Sequence, residues 1–217
     1  MERKGGLLFL VFVALSLSAA TTNATIVIIE LTGEITEVAF SKWGNTEIRV
    51  GDQITGFYTY DTEAYDEDPL PTVGSYRYSS PPYGITLTVN GLLFQSDPGN
   101  VDFYVKVFNN FPTEDRVTIV SHRNLPTAGI PIDSIWWELE DWSGVNLSNT
   151  DLPQGPLILG EWDPDPLYVS VFLGGRPSSG LFATVTSVRL IPEPNTLMLL
   201  TFGAMAVTLR ARKSSGV

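Results

Sequence analysis

Ile85-Thr86-Leu87-Thr88-Val89-Asn90-Gly91-Leu92-Leu93-Phe94 is the stretch on which the fold turns. Ile85, Leu87 and Val89 recur at the period of two that an extended strand imposes, so they share one face. Asn90-Gly91 follows at once, and both residue types tolerate the positive φ that a two-residue hairpin needs. Leu92 to Phe94 then returns antiparallel. The same alternation recurs on both sides. Val101, Phe103, Val105 and Val107 alternate with Asp102, Tyr104 and Lys106; Leu167, Val169, Val171 and Leu173 alternate with Tyr168, Ser170 and Phe172. Further strands are expected at 26–31, 35–40, 53–60, 116–120, 135–140 and 182–190. No long stretch shows a helical period. About ten short strands punctuated by turn residues predict an all-β chain, an antiparallel β-sandwich or jelly-roll-like single domain.

The 217 residues contain no cysteine, one histidine and a formal charge of −11. Between residues 25 and 191 stand 22 acidic and 8 basic side chains, a balance of −14. Such a surface argues against nucleic acid, whose affinity comes from cations neutralising phosphates. With no Cys and only His122, zinc sites are excluded and no disulfide staples the fold. No nucleophile elbow surrounds a serine near His122, and Gly174-Gly175-Arg176-Pro177 reads as a turn, not a phosphate loop.

The two ends read as addresses. Arg3 and Lys4 precede an apolar run from Leu7 to Leu17 and then small residues, the pattern of a secretory signal peptide. Cleavage fits after Ala20, with Ser18, or after Ala24, with Thr22; Ala24 is preferred because Thr25 onward begins a strand. At the other end come Pro192-Glu193-Pro194, an uncharged run from Thr196 to Leu209, and the cations Arg210, Arg212 and Lys213. The prolines detach the run from what precedes it, and the terminal cations act as a cytoplasmic stop. Fourteen residues make a helix of roughly 21 Å, short of the roughly 30 Å hydrocarbon core, which suits a transient insertion better than a permanent anchor. The chain thus divides into a signal peptide and its helix at 1–24, an exported domain at 25–191 and a C-terminal segment with a hydrophobic helix at 192–217.

This three-part ending resembles the PEP-CTERM sorting signal of Gram-negative bacteria. The resemblance implies that exosortase, an integral-membrane cysteine protease or transpeptidase, recognises Pro192, Glu193 and Pro194, while Arg210, Arg212 and Lys213 retain the tail. It implies export through the Sec translocon, removal of the leader by signal peptidase, an inner-membrane intermediate, and then a cell-surface or extracellular location associated with exopolysaccharide. More loosely, Gly51-Asp52-Gln53-Ile54-Thr55-Gly56-Phe57-Tyr58-Thr59-Tyr60-Asp61, Gly74-Ser75-Tyr76, Leu152-Pro153 and the closing stretch 183–188 resemble a frequent type of PEP-CTERM passenger. That likeness implies a β-sandwich and brings no activity.

The most chemically loaded stretch is Ile135-Trp136-Trp137-Glu138-Leu139-Glu140-Asp141-Trp142. On a strand, Ile135, Trp137 and Leu139 face the core, while Trp136, Glu138, Glu140 and Trp142 face outward. Two indoles bracketing two carboxylates suit sugar rings, whose C–H faces stack on indole and whose hydroxyls need acceptors. The bland alternative is a core tryptophan with a solvated opposite face. A third reading uses Glu138 and Glu140 as the paired carboxylates of a secreted, glycosidase-like hydrolase. Asp61, Asp66 and Asp68 offer the oxygen ligands that Ca²⁺ prefers, without EF-hand spacing, and a solvated acidic loop is the simpler reading. The expectation is a non-enzymatic surface or matrix protein that needs no cofactor.

Overall fold

The computed structural model describes residues 26–164, 167–173 and 176–192. The leader at 1–24, the apolar run at 196–209, and Glu193, Pro194, Arg210, Arg212 and Lys213 lie outside the described residues. Among the described residues no helix is long and apolar enough to cross a membrane.

Thirteen strands follow in order: β1 (Ile26–Val38), β2 (Lys42–Trp43), β3 (Thr46–Glu47), β4 (Gln53–Asp61), β5 (Val73–Tyr78), β6 (Gly84–Val89), β7 (Leu92–Gln95), β8 (Phe103–Phe108), β9 (Asp115–Ser121), β10 (Ile132–Asp141), β11 (Asp163–Pro164), β12 (Leu167–Leu173) and β13 (Arg176–Ile191). A single 3₁₀ turn, Leu159–Glu161, precedes β11. The β6–β7 hairpin turns on Asn90 and Gly91, with φ of 49° and 79°. β2 and β3 form a small separate ribbon.

The remaining strands make one antiparallel sheet in the order β5-β8-β9-β10-β12-β13-β1-β4-β6-β7, with β11 on β10. The sheet curls until its inner faces meet: the rings of Tyr58 on β4 and Trp137 on β10 lie 6.1 Å apart. The two layers expected from the alternation are therefore halves of one sheet, continuous through β12, β13 and β1. The expected strands at 26–31 and 35–40 merge into β1. The β1–β13 register slips at Thr186 on β13 and at Thr36 on β1, and such bulges kink a strand without ending it. At the far edge β7 is stitched to the segment after β9 by Leu125 N–H to the Gln95 carbonyl and Asp97 N–H to the Arg123 carbonyl, at 3.0 and 2.8 Å. That contact covers an edge that would otherwise be open for pairing.

Ile29, Leu31, Ile54, Leu87, Phe94, Phe103, Ile135 and Trp137 fill the space between the halves. The segment Gly51–Asp61 has a plain physical role here. A Cβ on Gly56 would sit 2.1 Å from the Thr86 carbonyl oxygen, so only glycine lets β4 and β6 approach. Tyr60 donates its hydroxyl to the Pro153 carbonyl at 2.6 Å, Tyr76 to Thr150 at 2.8 Å and Tyr78 to Asp61 at 2.8 Å. Buried phenols keep their hydroxyls satisfied this way. Tyr60 and Tyr76 thereby pin the long connection after β10, whose Leu152 is buried, across the mouth of the core.

Candidate functional site

The outer face of the β5-β8-β9-β10-β12 half gathers the chemistry, and register decides what meets. Arg77, Tyr104, Val120, Trp136, Tyr168 and Phe182 pair in succession across β5, β8, β9, β10, β12 and β13. They form one row perpendicular to the strands. One pleat along, Ser75, Lys106, Thr118 and Glu138 form a second row. Phe108, Arg116 and Glu140 form a third. An aromatic row thus runs beside a row of hydrogen-bonding groups.

Aromatic contacts hold the first row. Trp136 and Tyr168 lie 6.0 Å apart between centroids and within 11° of parallel, and Tyr168 meets Phe182 at 5.8 Å. Val120 is fully buried although it points outward, because the larger side chains of Tyr104 and Trp136 rise on both sides of it. Thr118 is buried beside it in the second row, so β9 forms a floor between two walls.

In the other rows Glu114, Glu138 and Glu140 share one cation, Arg116. Thr118 donates its hydroxyl to Glu138 Oε2 at 2.5 Å. Arg116 Nη1 lies 3.5 Å from Glu138 Oε1 and 3.7 Å from Glu140 Oε1, and its Nη2 lies 3.9 Å from Glu114. The guanidinium also sits 4.3 Å over the Phe108 ring. At the open end of the aromatic row, Tyr104 and His122 Nε2 are hydrogen-bonded at 2.9 Å, and Arg77 pairs with Asp102 at 2.7 Å. Burial and the Asp102 charge raise the Tyr104 phenol above its ordinary value, and burial followed by Glu138 does the same to Tyr168.

The alternation within β10 is as expected: Ile135, Trp137 and Leu139 face the core, while Trp136, Glu138 and Glu140 face out. Trp142 is not brought to Trp136. β10 ends at Asp141, and Trp142 stands on the following turn, about 20 Å further along at roughly 3.3 Å per residue. The flat partner of Trp136 is Tyr168, from a strand 32 residues away. Tyr104, Arg116, Thr118, Tyr168 and Phe182 escape a reading of one strand at a time, because pairing register places them. Alternation on the strands at 101–107 and 167–173 was the available signal, since it already put Tyr104 and Tyr168 outward.

Asp61, Asp66 and Asp68 do not gather. Asp61 Oδ1 accepts the Glu63 N–H, Asp66 Oδ1 accepts Asp68 and Ser75 N–H groups, and Asp68 Oδ1 accepts the Leu70 N–H. Among the described residues no three His, Cys, Asp or Glu side chains are placed to hold a metal ion. His122 is exposed.

At the last strand, Leu190 pairs with Ile29 and Ile191 with Ile28, and Pro192 follows exposed to solvent. No curated protein and no solved structure matches the chain. Residues 190–213 match a family model described as the PEP-CTERM protein-sorting motif. The motif therefore begins inside β13, on two residues already bonded into the sheet. The chain thus carries the PEP-CTERM sorting motif at residues 190–213, which supports export and sorting by exosortase to the cell surface or beyond it.

Proposed function

We propose that the exported domain is a non-enzymatic component of the cell surface or extracellular matrix that associates with exopolysaccharide, gripping sugar rings on the outer face of β8, β9, β10 and β12. Export begins at the Sec translocon, signal peptidase removes residues 1–24, and exosortase acts at Pro192-Glu193-Pro194 while the C-terminal run holds the chain briefly in the inner membrane. The observation that carries the glycan reading is the parallel Trp136–Tyr168 pair, with Tyr104 further along the same row and Lys106 beside it in the next. Aromatic faces take the apolar side of a sugar ring, and neighbouring donors and acceptors take its hydroxyls.

A hydrolase using Glu138 and Glu140 fits this arrangement less well. Both carboxylates are already engaged, by Thr118 and Arg116 for Glu138 and by Arg116 for Glu140, and a general acid must be presented to its substrate. Affinity electrophoresis through gels containing a panel of polysaccharides tests the choice. Retention that disappears in Trp136→Ala supports binding, with Glu138→Gln mattering less. Turnover of any of these polymers that Glu138→Gln abolishes would establish the hydrolase instead.

A further inference from the structure

We propose that the recess at the open end of the aromatic row is a subsite for an anionic substituent on a sugar chain, such as the carboxylate of a uronic acid. This rests on the glycan reading above and names the class of glycan. The recess measures about 320 Å³ and is lined by Glu67, Ser75, Arg77, Asp102, Tyr104, Lys106 and His122. Tyr104 belongs both to this recess and to the row containing Trp136, so a chain lying along the row would run into the recess.

Three observations point to an anion. First, the cations are concentrated. Residues 25–191 contain eight basic side chains against 22 acidic ones, yet Arg77, Lys106 and Arg123 all meet at this recess or at its Asp102 wall. Second, the acid on that wall is already matched: Asp102 receives Arg77 at 2.7 Å and Arg123 at 3.8 Å. With Glu67 counted, Arg77, Arg123 and Lys106 exceed the two carboxylates of the recess by one charge. Third, Lys106 forms no ion pair among the described residues, and its ammonium lies 5.5 Å over the Tyr104 ring, in a half-buried position. A Lys whose stem packs on the sheet and whose head lacks a carboxylate is held ready for an external one. Elsewhere an acidic surface repels polyanions. Here three cations stand against two carboxylates, a local excess of one positive charge that would fix both where such a polymer lands and how it lies. The hydroxyls of Ser75 and Tyr104 and the imidazole of His122 would take the neighbouring hydroxyl groups of the sugar.

The test uses the full-length chain with polygalacturonate and with the same polymer fully methyl-esterified, which keeps the backbone and removes the charge. The expected result is tighter binding of the free acid by about fivefold at low salt, the scale of one well-placed ion pair near a surface, fading as salt screens it. Lys106→Gln should narrow the preference for the free acid, weakening its binding more than that of the ester. Trp136→Ala should weaken both together. Equal wild-type affinity for the two polymers, or an unchanged preference in Lys106→Gln, overturns the subsite and leaves the glycan reading standing. Binding of neither polymer by the wild-type chain overturns the subsite, and the separate polysaccharide panel then decides the glycan reading.

Discussion

Asp115 and Asp141 face each other as a register pair across β9 and β10, and together they clamp the turn that follows β10. Asp141 accepts the Ser143 hydroxyl at 2.5 Å and the Ser143, Val145 and Asn146 N–H groups at 2.8, 2.9 and 3.1 Å. Asp115 accepts the Leu147 N–H at 2.6 Å and the Asn110 N–H at 2.9 Å, tying the β8–β9 hairpin to the same turn. Both carboxylates are buried beside the core, and their work is to hold backbone donors that would otherwise be unpaired.

That pair predicts an acid transition. The Ser143 hydroxyl first, and then the backbone donors, lower the Asp141 carboxyl to about 2. A carboxyl with a lowered folded pKa stabilises the fold above its unfolded value, near 4, and loses that contribution as pH falls towards 2. Urea unfolding midpoints should therefore drop between about pH 4 and pH 2. Asp141→Asn should start lower at neutral pH and lose less across that window; an identical acid slope in both proteins would exclude Asp141 as the cause.

Gly56→Ala should destabilise the protein by about 1–3 kcal/mol, the usual range for forcing extra atoms into a packed site. The new Cβ would lie 2.1 Å from the Thr86 carbonyl and 2.8 Å from Leu87 Cα, backbone atoms that cannot step aside alone. Gly91→Ala is the informative companion. Nothing lies within 4 Å of its position, but its φ is +79°, so its smaller cost is purely conformational. Thermal melts of both variants separate the two mechanisms.

At alkaline pH the tyrosines that close the core should become a liability. Burial raises Tyr58, Tyr60 and Tyr78 well above the ordinary phenol value and brings Tyr76 to about 12. The unfolded chain releases these protons near pH 10 while the folded one keeps them, so stability falls as pH climbs from about 10. Phenolate absorbance should show these groups ionising together with loss of the near-ultraviolet circular dichroism signal. Ionisation of all eight tyrosines with that signal intact would contradict the prediction.

Replacing Pro192, Glu193 and Pro194 with alanine should leave the tail attached. Intact-mass spectrometry of material from cells with a working exosortase should find the wild-type chain shortened near that point and the variant retaining the sequence through Val217. A shortened variant would show that recognition lies elsewhere in residues 190–213.

Much of the fold can be read from local sequence because alternation and turn chemistry are local. Ile85–Val89 with Asn90-Gly91 shows its hairpin directly, and so does the outward setting of Trp136, Glu138 and Glu140. The strand Val73–Tyr78 is harder to see: Gly74 and Ser75 look like a turn, although Gly74 is small because a Cβ there would meet the Thr150 carbonyl at 2.4 Å. The curl of one sheet into two layers is invisible locally, since it depends on β1 pairing with both β13 and β4 and on register slips at Thr186 and Thr36. The binding face is hidden for the same reason. Trp142 is close to Trp136 in sequence and remote in space, whereas Tyr168 is the reverse. Neither fact follows until register is known.

Ile28 and Ile191 are register partners where the first and last described strands meet. The first and last strands leave the sheet shoulder to shoulder, so a load applied at Pro192 falls on the seam between them and would open it rung by rung from the rim. Cleavage at the proposed exosortase site would relieve that seam without disturbing a packed layer, so a released cargo would keep its closure intact.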